Sequence, residues 1–281
     1  MKTTFHNTGY CKQLEALAIS GGRWRQQAFP GIFAIMEHPV LGPVLFDTGY
    51  SPRFLDATKR LPYALYRWMT PVTLTGERSA AEHVQAAGYS PREVKHIIVS
   101  HFHADHVCGL RDFPEATFIC SKPGYEAIEH LNGFAAVKKA FLPELLPPDF
   151  AKRTRWIEQS KQVELPAKYA PFHSGYDLFN DGSVTAIRLS GHAAEQFGVL
   201  LQGDTGQELL LGADASWSEA AVRDNRRPHP LASIVFDNRA EFKETFDRLV
   251  ELKRRNPELQ QIFTHCEETW KRCTPWQEVG A

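Results

Sequence analysis

The stretch HFHADH (residues 101–106) follows the apolar run VKHIIVS (residues 94–100), which is typical of a buried β-strand. At the end of an extended strand, residues two positions apart point the same way, so His101 and His103 can present their imidazoles to one ion. The aspartate and the histidine that close the stretch follow where the chain must turn, toward a second position nearby. Nitrogen and oxygen donors in this density suit Zn²⁺. The stretch predicts a metal site; a solvated turn that happens to be histidine-rich is the alternative.

Four residues cannot complete two metal sites, so further ligands must come from other strand ends. The candidates each follow an apolar run and are His192, Asp214 and His265. Gly191 lacks a Cβ atom, which lets the backbone bend and aim His192 inward. Taken singly, each candidate is more typical of a cap or a turn. Together with residues 101–106 they predict one site at the strand ends, where α/β architectures build their sites.

Strand-like and helix-like segments alternate in two similar halves, roughly residues 1–130 and 180–265. Strands are predicted at Leu14–Ile19, Gly31–Glu37, Val44–Phe46, Val94–Ser100, Ala116–Cys120, Ser183–Leu189, Phe197–Gln202, Glu208–Leu211 and Gln261–Thr264. Helices are predicted at Ser79–Ala87, Lys122–Leu131, Phe134–Leu142 and Ala240–Arg255. This order favours a layered fold with two sheets inside and helices outside. We expect one domain over residues 1–281, with helical or loop insertions near 52–71 and 122–171.

The segment from Pro52 to Pro71 is rich in large apolar side chains, among them Tyr66 and Trp68. We expect an amphipathic helix that covers the core, and a lid or a dimer contact is the alternative. Tyr66 and Trp68 are therefore candidates to line a substrate pocket, and the chain is expected to be a monomer or a homodimer.

The composition narrows the class of partner. The 281 residues carry a net charge of -1, with 43% hydrophobic and 23% charged residues, which is ordinary for a globular protein. There is no overall positive charge to attract nucleic acid or anionic lipid. Twelve histidines stand out, and histidine is a versatile metal ligand. We expect a small-molecule substrate, with neither nucleic acid nor membrane as partner.

The N-terminal residues lack the apolar stretch of a signal peptide, and no run is long enough to span a membrane. The five cysteines are odd in number and include no C-x-x-C pair, which favours reduced thiols. The expected location is the cytoplasm.

The motif set H-x-H-x-D-H, then G-H, then an aspartate after a strand, then a late histidine resembles the metallo-β-lactamase superfamily. The resemblance covers about Gly31 to His265 and implies the αββα sandwich, an α+β fold with two mixed sheets flanked by helices. By this resemblance one metal is held by His101, His103 and His192, a second by Asp105, His106 and His265, with Asp214 bridging the two. Asp47 matches the D-T-G turn that supports the metal ligands without binding metal; a simple turn at a strand end is the alternative.

Within that superfamily, GADASW (residues 212–217) resembles the N-acyl homoserine lactonases. Those lactonases usually place a tyrosine three residues after the bridging aspartate, where this chain has Trp217, which we take as a candidate pocket residue. Cys108 and Cys266 also depart from the usual pattern, and we expect both to be buried packing residues rather than ligands.

The predicted chemistry is hydrolysis by two Zn²⁺ ions that share a hydroxide, with iron, manganese or cobalt as other metals. The favoured substrate is a lactone or related ester, and Asp105 and Asp214 are the candidate catalytic carboxylates. Neither a G-x-S-x-G elbow nor a P-loop supports a serine hydrolase or an NTPase.

Other functions of the same fold stay open. A glyoxalase-II-like thioesterase would need a cationic patch, for which the sequence offers Lys152, Arg153, Arg155, Arg226 and Arg227. An iron-bearing redox enzyme would be recognised by its metal. A nuclease is disfavoured by the net charge, and a metal-free binding module by the complete ligand set.

Overall fold

The computed structural model describes residues 1–273, and the strands of this part of the chain form two sheets. The first sheet contains β1 (Lys2–Leu14), β2 (Gln26–His38), β3 (Gly42–Phe46), β4 (Val72–Leu74), β5 (His96–Ile98), β6 (Thr117–Cys120) and β7 (Thr154–Trp156). The second contains β8 (Lys161–Glu164), β9 (Ser174–Asp177), β10 (Val184–Arg188), β11 (Phe197–Gln202), β12 (Glu208–Leu211) and β13 (Gln260–Ile262). The helices are α1 (Glu15–Ala18), α2 (Pro52–Ala57), α3 (Ala64–Met69), α4 (Ala80–Ala86), α5 (Ala104–Val107), α6 (Lys122–Glu126), α7 (Gly133–Lys138), α8 (Glu219–Arg223), α9 (Arg239–Arg255) and α10 (Glu267–Cys273).

Both sheets mix parallel and antiparallel pairs. The first has the order β4-β1-β2-β3-β5-β6-β7, antiparallel as far as β3 and parallel from β3 to β7. The second has the order β13-β12-β11-β10-β9-β8, in which only the β12–β13 pair is parallel among the described strands. The predicted pair of mixed sheets is confirmed.

Alternation along the strands separates the inner layer from the outer layers. Ile98 of β5 packs between the sheets with Val199 of β11, whereas its neighbour Ile97 faces the helices on the first sheet. Successive side chains of a strand point to opposite faces, which allows a strand to serve two cores. Phe246 of α9 covers the outer face of the second sheet, where it belongs to the same cluster as Leu210. The layers therefore run helix, sheet, sheet, helix.

The first predicted strand is wrong. Leu14–Ile19 enters helix α1 instead, and the strand lies before it at β1. Alanine, leucine and glutamate in this segment favour a helix, and the short apolar pattern does not distinguish the two structures. The long β1 has many polar and half-buried residues, so its pairing with β2 decides its conformation more than its apolar pattern does.

Both insertions contain shorter helices than the sequence suggests. The segment 52–71 forms α2 and α3, and Pro62 lies in the break between them because proline interrupts helical hydrogen bonding. Its buried residues, Phe54 and Tyr66 among them, pack into the core on the outer face of the first sheet. This agrees with the prediction that the segment covers the core. In 122–171 the predicted helices shorten to α6 and α7, and strands β7 and β8 follow, which the sequence did not reveal.

Two further predictions concern whole-chain properties. Cys11, Cys108, Cys120 and Cys266 are buried free thiols, which confirms the packing role expected for Cys108 and Cys266. The Cys273 side chain lies outside the described part of the structure. Among residues 1–273, no helix is long and apolar enough to cross a membrane.

Candidate metal centre

The seven predicted ligands come together at the ends of strands from both sheets. Residues 101–106 follow β5 and enter α5, and the remaining three follow β10, β12 and β13. They form two groups, His101, His103, His192 and Asp214 in one and Asp105, His106, Asp214 and His265 in the other. Within each group one ligand atom from every residue lies within 4.8 Å of the others. Asp214 belongs to both groups and therefore lies between two candidate ion positions.

The first group is a cluster of imidazoles closed by one carboxylate. His192 Nε2 lies 2.9 Å from His103 Nδ1 and 3.2 Å from Asp214 Oδ2. The ring centroids of His101 and His103 are 4.5 Å apart, which places the two strand-end histidines side by side as their spacing predicts. This arrangement presents three nitrogens and one oxygen to a common point.

The second group contains two carboxylates and two imidazoles. His265 Nε2 lies 3.1 Å from Asp214 Oδ2 and 3.3 Å from Asp105 Oδ2. His106 Nε2 lies 3.5 Å from Asp214 Oδ1 and 3.6 Å from Asp105 Oδ2. A tetrahedral zinc ion with bonds near 2.0–2.1 Å separates its ligand atoms by roughly 3.3 Å. The spacing of both groups therefore suits zinc coordination.

Buried polar atoms without hydrogen-bond partners give an independent test of whether these residues suit a metal ion. His101 Nε2, His106 Nε2 and Asp214 Oδ1 are buried and have no hydrogen-bond partner within the described structure. Buried polar atoms are normally paired, and an unpaired one requires an explanation. All three belong to the two candidate groups, so a bound cation accounts for them together. The donors are nitrogen and oxygen without thiolate, which suits a catalytic zinc site and also other divalent transition metals.

Asp47 fixes which nitrogen of His106 faces the centre. The turn after β3 places its carboxylate at the buried side of the imidazole, where His106 Nδ1 donates to Asp47 Oδ2 at 2.8 Å. His106 Nε2 is thereby left as a lone-pair donor toward the metal position. The same carboxylate accepts from the backbone N–H of Ser100 at 2.8 Å, which anchors the loop that carries the first ligands.

Two other ligands are oriented in the same way. His265 Nδ1 donates to the backbone carbonyl of Pro30 at 2.8 Å. The Ser100 hydroxyl donates to Asp47 Oδ2 at 2.8 Å and accepts from His101 Nδ1 at 3.0 Å. In each case the outer nitrogen of the imidazole is the hydrogen-bond donor, so the inner nitrogen is the one directed toward the metal position. Ser100 was not singled out from the sequence, because a serine at a strand end is usually a turn residue.

Two glycines allow the close approach of these loops. Gly191, directly before His192, has φ +123°, and a Cβ atom there would lie 2.0 Å from the backbone nitrogen of Phe242. Gly49 closes the D-T-G turn with φ +61°, and a Cβ atom there would lie 2.6 Å from Thr8 Oγ1. A side chain would clash at either position, so the loop that carries His192 and the turn that carries Asp47 both depend on a missing side chain.

The electrostatics differ between the two groups: burial disfavours protons on the histidines of the first, whereas carboxylates favour a proton on those of the second, which a bound cation would replace. Burial lowers the pKa values of His101 and His103, with neighbouring histidines adding to the effect. Burial also disfavours charge on His265, but Asp214 and Asp105 outweigh it and raise its pKa to about 9. Burial opposes ionisation of Asp214, yet the surrounding histidines hold its pKa well below the usual value. The two carboxylates thus supply negative charge that a divalent cation can neutralise.

A cavity of about 180 Å³ opens beside His103 and His192. Phe102, Ile128 and Phe236 contribute to its apolar wall. The sequence did not indicate these residues, because they lie on separate loops and helices that only the fold brings together. The cavity therefore opens next to two residues of the first ligand group.

The three predicted pocket residues occupy different environments. Trp217 lies edge-on to His192, with ring centroids 5.9 Å apart, and 5.6 Å from the Phe236 ring. Tyr66 is buried on α3, whereas Trp68, two residues later on the same helix, is 66% exposed. The structure therefore brings Trp217 to the metal ligands and leaves Trp68 open to solvent.

Four of the five basic residues that could have bound a thiol carrier make contacts elsewhere, and the fifth, Lys152, is exposed and does not line the cavity. Arg153, Arg155 and Arg226 each donate to backbone carbonyl groups. Arg227 pairs with an aspartate of α9. These arginines tie loops to the body of the protein, and the cavity beside the ligands is lined by other residues.

Comparison with known proteins identifies the class. The sequence profile of the Metallo-beta-lactamase superfamily matches residues 41–255, which is more than half of the chain. With its layered fold and paired His/Asp groups, the chain belongs to the metallo-β-lactamase superfamily, and it is a lactonase-like hydrolase of that fold.

Several of the similar proteins are named N-acyl homoserine lactonases. An N-acyl homoserine lactonase from Azorhizobium caulinodans is 30% identical over 229 residues, covering 80% of this chain and 79% of the relative. A probable metallo-hydrolase from Mycobacterium tuberculosis is 27% identical, covering 80% of this chain and 71% of the relative. A solved N-acyl homoserine lactone hydrolase, with the product N-hexanoyl-L-homoserine bound at its catalytic metal centre, has a TM-score of 0.71. It is 20% identical, covers 97% of this chain and 96% of that chain, and shows the shared fold.

Proposed function

We propose that this chain is a dinuclear zinc hydrolase that opens lactones or closely related esters. The observation that carries the proposal is the pair of four-residue groups that share Asp214. Zinc suits the nitrogen and oxygen donors, and iron, manganese or cobalt are the other ions that such a set accepts. The lactone preference is supported by the named activity of the relatives, and we propose one domain over residues 1–281 that acts as a monomer or homodimer.

Each ligand has a specific task in this proposal. His101, His103 and His192 would hold one ion, Asp105, His106 and His265 would hold the other, and Asp214 would contribute to both positions. A pair of divalent ions held by these residues would supply Lewis-acid chemistry that activates water at neutral pH. Asp105 is proposed to carry the proton released by the attacking water to the alkoxide leaving group.

The surroundings of the centre orient the reactants. Asp47 keeps His106 in the required tautomer through a 2.8 Å hydrogen bond. Trp217 and Tyr66 limit the space next to the ligands, and Trp68 is proposed to lie at the outer edge of the substrate pocket. Exclusion of water by such apolar surfaces strengthens the interactions of charge with the substrate carbonyl.

A substrate panel tests the proposal. Purified zinc-loaded protein is assayed with a γ-lactone, an acyl thioester, a chromogenic cephalosporin and a phosphodiester. We expect turnover to be fastest with the lactone. Fast thioester turnover without lactone turnover would replace the proposed function by a thioesterase.

Substitution of one metal ligand tests whether that activity depends on the metal centre. His103→Ala removes one nitrogen of the first group, so we expect loss of one metal ion per chain and loss of hydrolysis. Lys152→Met serves as a surface control. Full lactone turnover by the His103 variant would contradict the assignment of the ligands.

A further inference from the structure

The cavity beside His103 and His192 is lined by groups of different character. Besides these two metal ligands, the lysines Lys138 and Lys139 of the α7 region contribute to its lining. Apolar side chains, including Ile128, form much of the wall. A ligand that fills the cavity therefore meets the candidate metals, an apolar wall and ammonium groups.

One of the two lysines is already neutralised. Lys139 forms an ion pair with Asp237, which lines the same cavity from the segment before α9. The backbone nitrogen of Asp237 donates to the carbonyl oxygen of His192 at 3.0 Å. On the other side, the carbonyl oxygen of Ala140 accepts from the backbone nitrogen of Ala104 at 3.1 Å. This ion pair thus joins the two walls of the cavity, and the charge of Lys139 is engaged in holding them.

Lys138 differs from its neighbour. It is exposed, and within residues 1–273 its ammonium group has neither an ion-pair partner nor a hydrogen-bond acceptor. The acidic residue that lines the cavity, Asp237, is bonded to Lys139. The cavity lining therefore carries two positive charges and one negative charge, which leaves one cation available to a ligand.

We propose that Lys138 binds an anionic group at the far end of the substrate's acyl chain. On the basis of the proposed function, the preferred substrates are then lactones or esters whose apolar chain ends in a carboxylate. The carbonyl at the metal centre and the carboxylate at Lys138 hold the two ends of the chain, while the wall around Ile128 excludes water from its middle. A neutral chain of the same length makes the apolar contacts but leaves the ammonium group in water.

Two lactones of equal chain length test this proposal, N-hexanoyl and N-adipoyl homoserine lactone. They differ at the end of the chain, where the adipoyl compound has a carboxylate. At low salt we expect kcat/KM to be about fivefold higher for the adipoyl lactone, as for an exposed ion pair of good geometry. Lys138→Met is expected to reduce that ratio to about one, and Lys138→Arg to retain part of it. Salt at roughly 0.5 M is expected to reduce the wild-type ratio.

A matched control separates local binding from general attraction. Lys152→Met removes the same charge from another exposed position and is expected to leave the ratio as in the wild type. A wild-type ratio near one, or a ratio that survives in the Lys138→Met protein, would overturn the proposal.

Binding measurements distinguish this proposal from the proposed function. Calorimetry with the ring-opened N-hexanoyl and N-adipoyl homoserines measures the same preference without turnover. A preference for the adipoyl compound that depends on Lys138, with neither lactone hydrolysed, would refute the lactonase function and leave the anionic subsite standing. Hydrolysis of both lactones without preference would support the lactonase function and refute the anionic subsite. Absence of hydrolysis and of binding would refute both the lactonase function and the subsite.

Discussion

Asp47 is the residue that links the D-T-G turn to the metal ligands. Its carboxylate accepts from His106 Nδ1 and from Ser100, so one side chain orients a ligand and anchors a loop. Asp47→Asn retains the shape but removes the charge that stabilises the required tautomer. We expect zinc affinity to fall by about 10- to 100-fold, measured by competition with a chelating dye.

The chain offers a matched control for this substitution. Asp181 also bonds a histidine, with its carboxylate 2.9 Å from His38 Nε2, and it lies in the turn between β9 and β10. Asp181→Asn is expected to leave zinc affinity as in the wild type. Equal affinity in the Asp47 and Asp181 variants would mean that Asp47 is only a turn residue.

Gly191 provides a second test at this scale. Gly191→Ala would place a Cβ atom 2.0 Å from the backbone nitrogen of Phe242 and force alanine into φ +123°. We expect a stability loss larger than the roughly 1–3 kcal/mol of an unfavourable φ alone, measured by urea unfolding. Gly42→Ala is the control, because Gly42 has φ +71° with nothing within 4 Å of its Cβ position. Similar losses in both variants would show that backbone conformation, not the contact, decides the effect.

The metal-ligating histidines at the end of β5 could be predicted from the sequence, because the residue spacing at the end of a strand determines which way the side chains point. His101 and His103 lie side by side as their two-residue separation predicts. Ser100, Ile128 and Lys138 could not be found in this way, since their roles arise from contacts between segments far apart in sequence. The apolar pattern also suggested a residue that the structure does not bury: Trp68, a candidate pocket residue, is largely exposed.

At the scale of elements, β1 is joined to α4 by a chain of hydrogen bonds through two histidines. His83 Nε2 lies 3.2 Å from the carbonyl oxygen of Asn7, which can only accept, so this nitrogen is protonated. His6 Nδ1 therefore donates to His83 Nδ1 at 3.2 Å, and the Thr4 hydroxyl donates to His6 Nε2 at 2.8 Å. A second proton on His83 would set two N–H groups against each other.

This link predicts a loss of stability in acid. Burial lowers the pKa of His6 from 6.5 to about 4, with His83 adding to the effect, and burial also lowers the pKa of His83. The unfolded chain therefore takes up protons before the folded protein does. The stabilisation by the neutral His6–His83 pair is therefore complete above about pH 6.5 and is lost as the pH falls toward 4.

Urea midpoints between pH 7 and pH 4 measure this contribution. The wild type is expected to lose more stability over that window than a variant with His6→Phe and His83→Phe. Comparison of the two proteins removes the common effect of the metal-site histidines. Parallel curves would mean that the pair does not carry the pH dependence.

Helices and strands were predictable where the local pattern agrees with the tertiary contacts. β11 and β12 have the predicted bounds, because both are short, almost fully buried apolar runs and the turn between them marks where each ends. The bounds of α9 differ from the prediction by one residue at its start. β1 and α1 were misjudged, since the polar β1 depends on pairing with β2 and β4.

For the whole molecule, removal of metal is expected to lower thermal stability. The centre buries two carboxylates and several imidazoles between the ends of both sheets, and a bound cation neutralises their charge. Ligand at roughly a thousand times its Kd stabilises a folded protein by about 4 kcal/mol. For a chain of this size we expect chelation to lower Tm by roughly 10 °C, and Tm should recover when zinc is restored. An unchanged Tm after chelation would show that the cluster is stable without metal.

The layered architecture could be predicted from the doubled order of strands and helices, while the way the sheets share ligands could not. Asp214 follows β12 of the second sheet, yet it lies 3.5 Å from His106, which follows β5 of the first. No local pattern specifies that meeting, because it depends on how the two inner faces pack.

Zinc stoichiometry tests the central claim most directly. The two groups that share Asp214 predict two zinc ions per chain in the wild type after loading and removal of excess metal. Asp214→Asn removes the charge that both positions share, so we predict loss of the second ion together with hydrolysis. One ion or none in the wild type, or two ions in a fully active Asp214→Asn protein, would contradict the dinuclear centre.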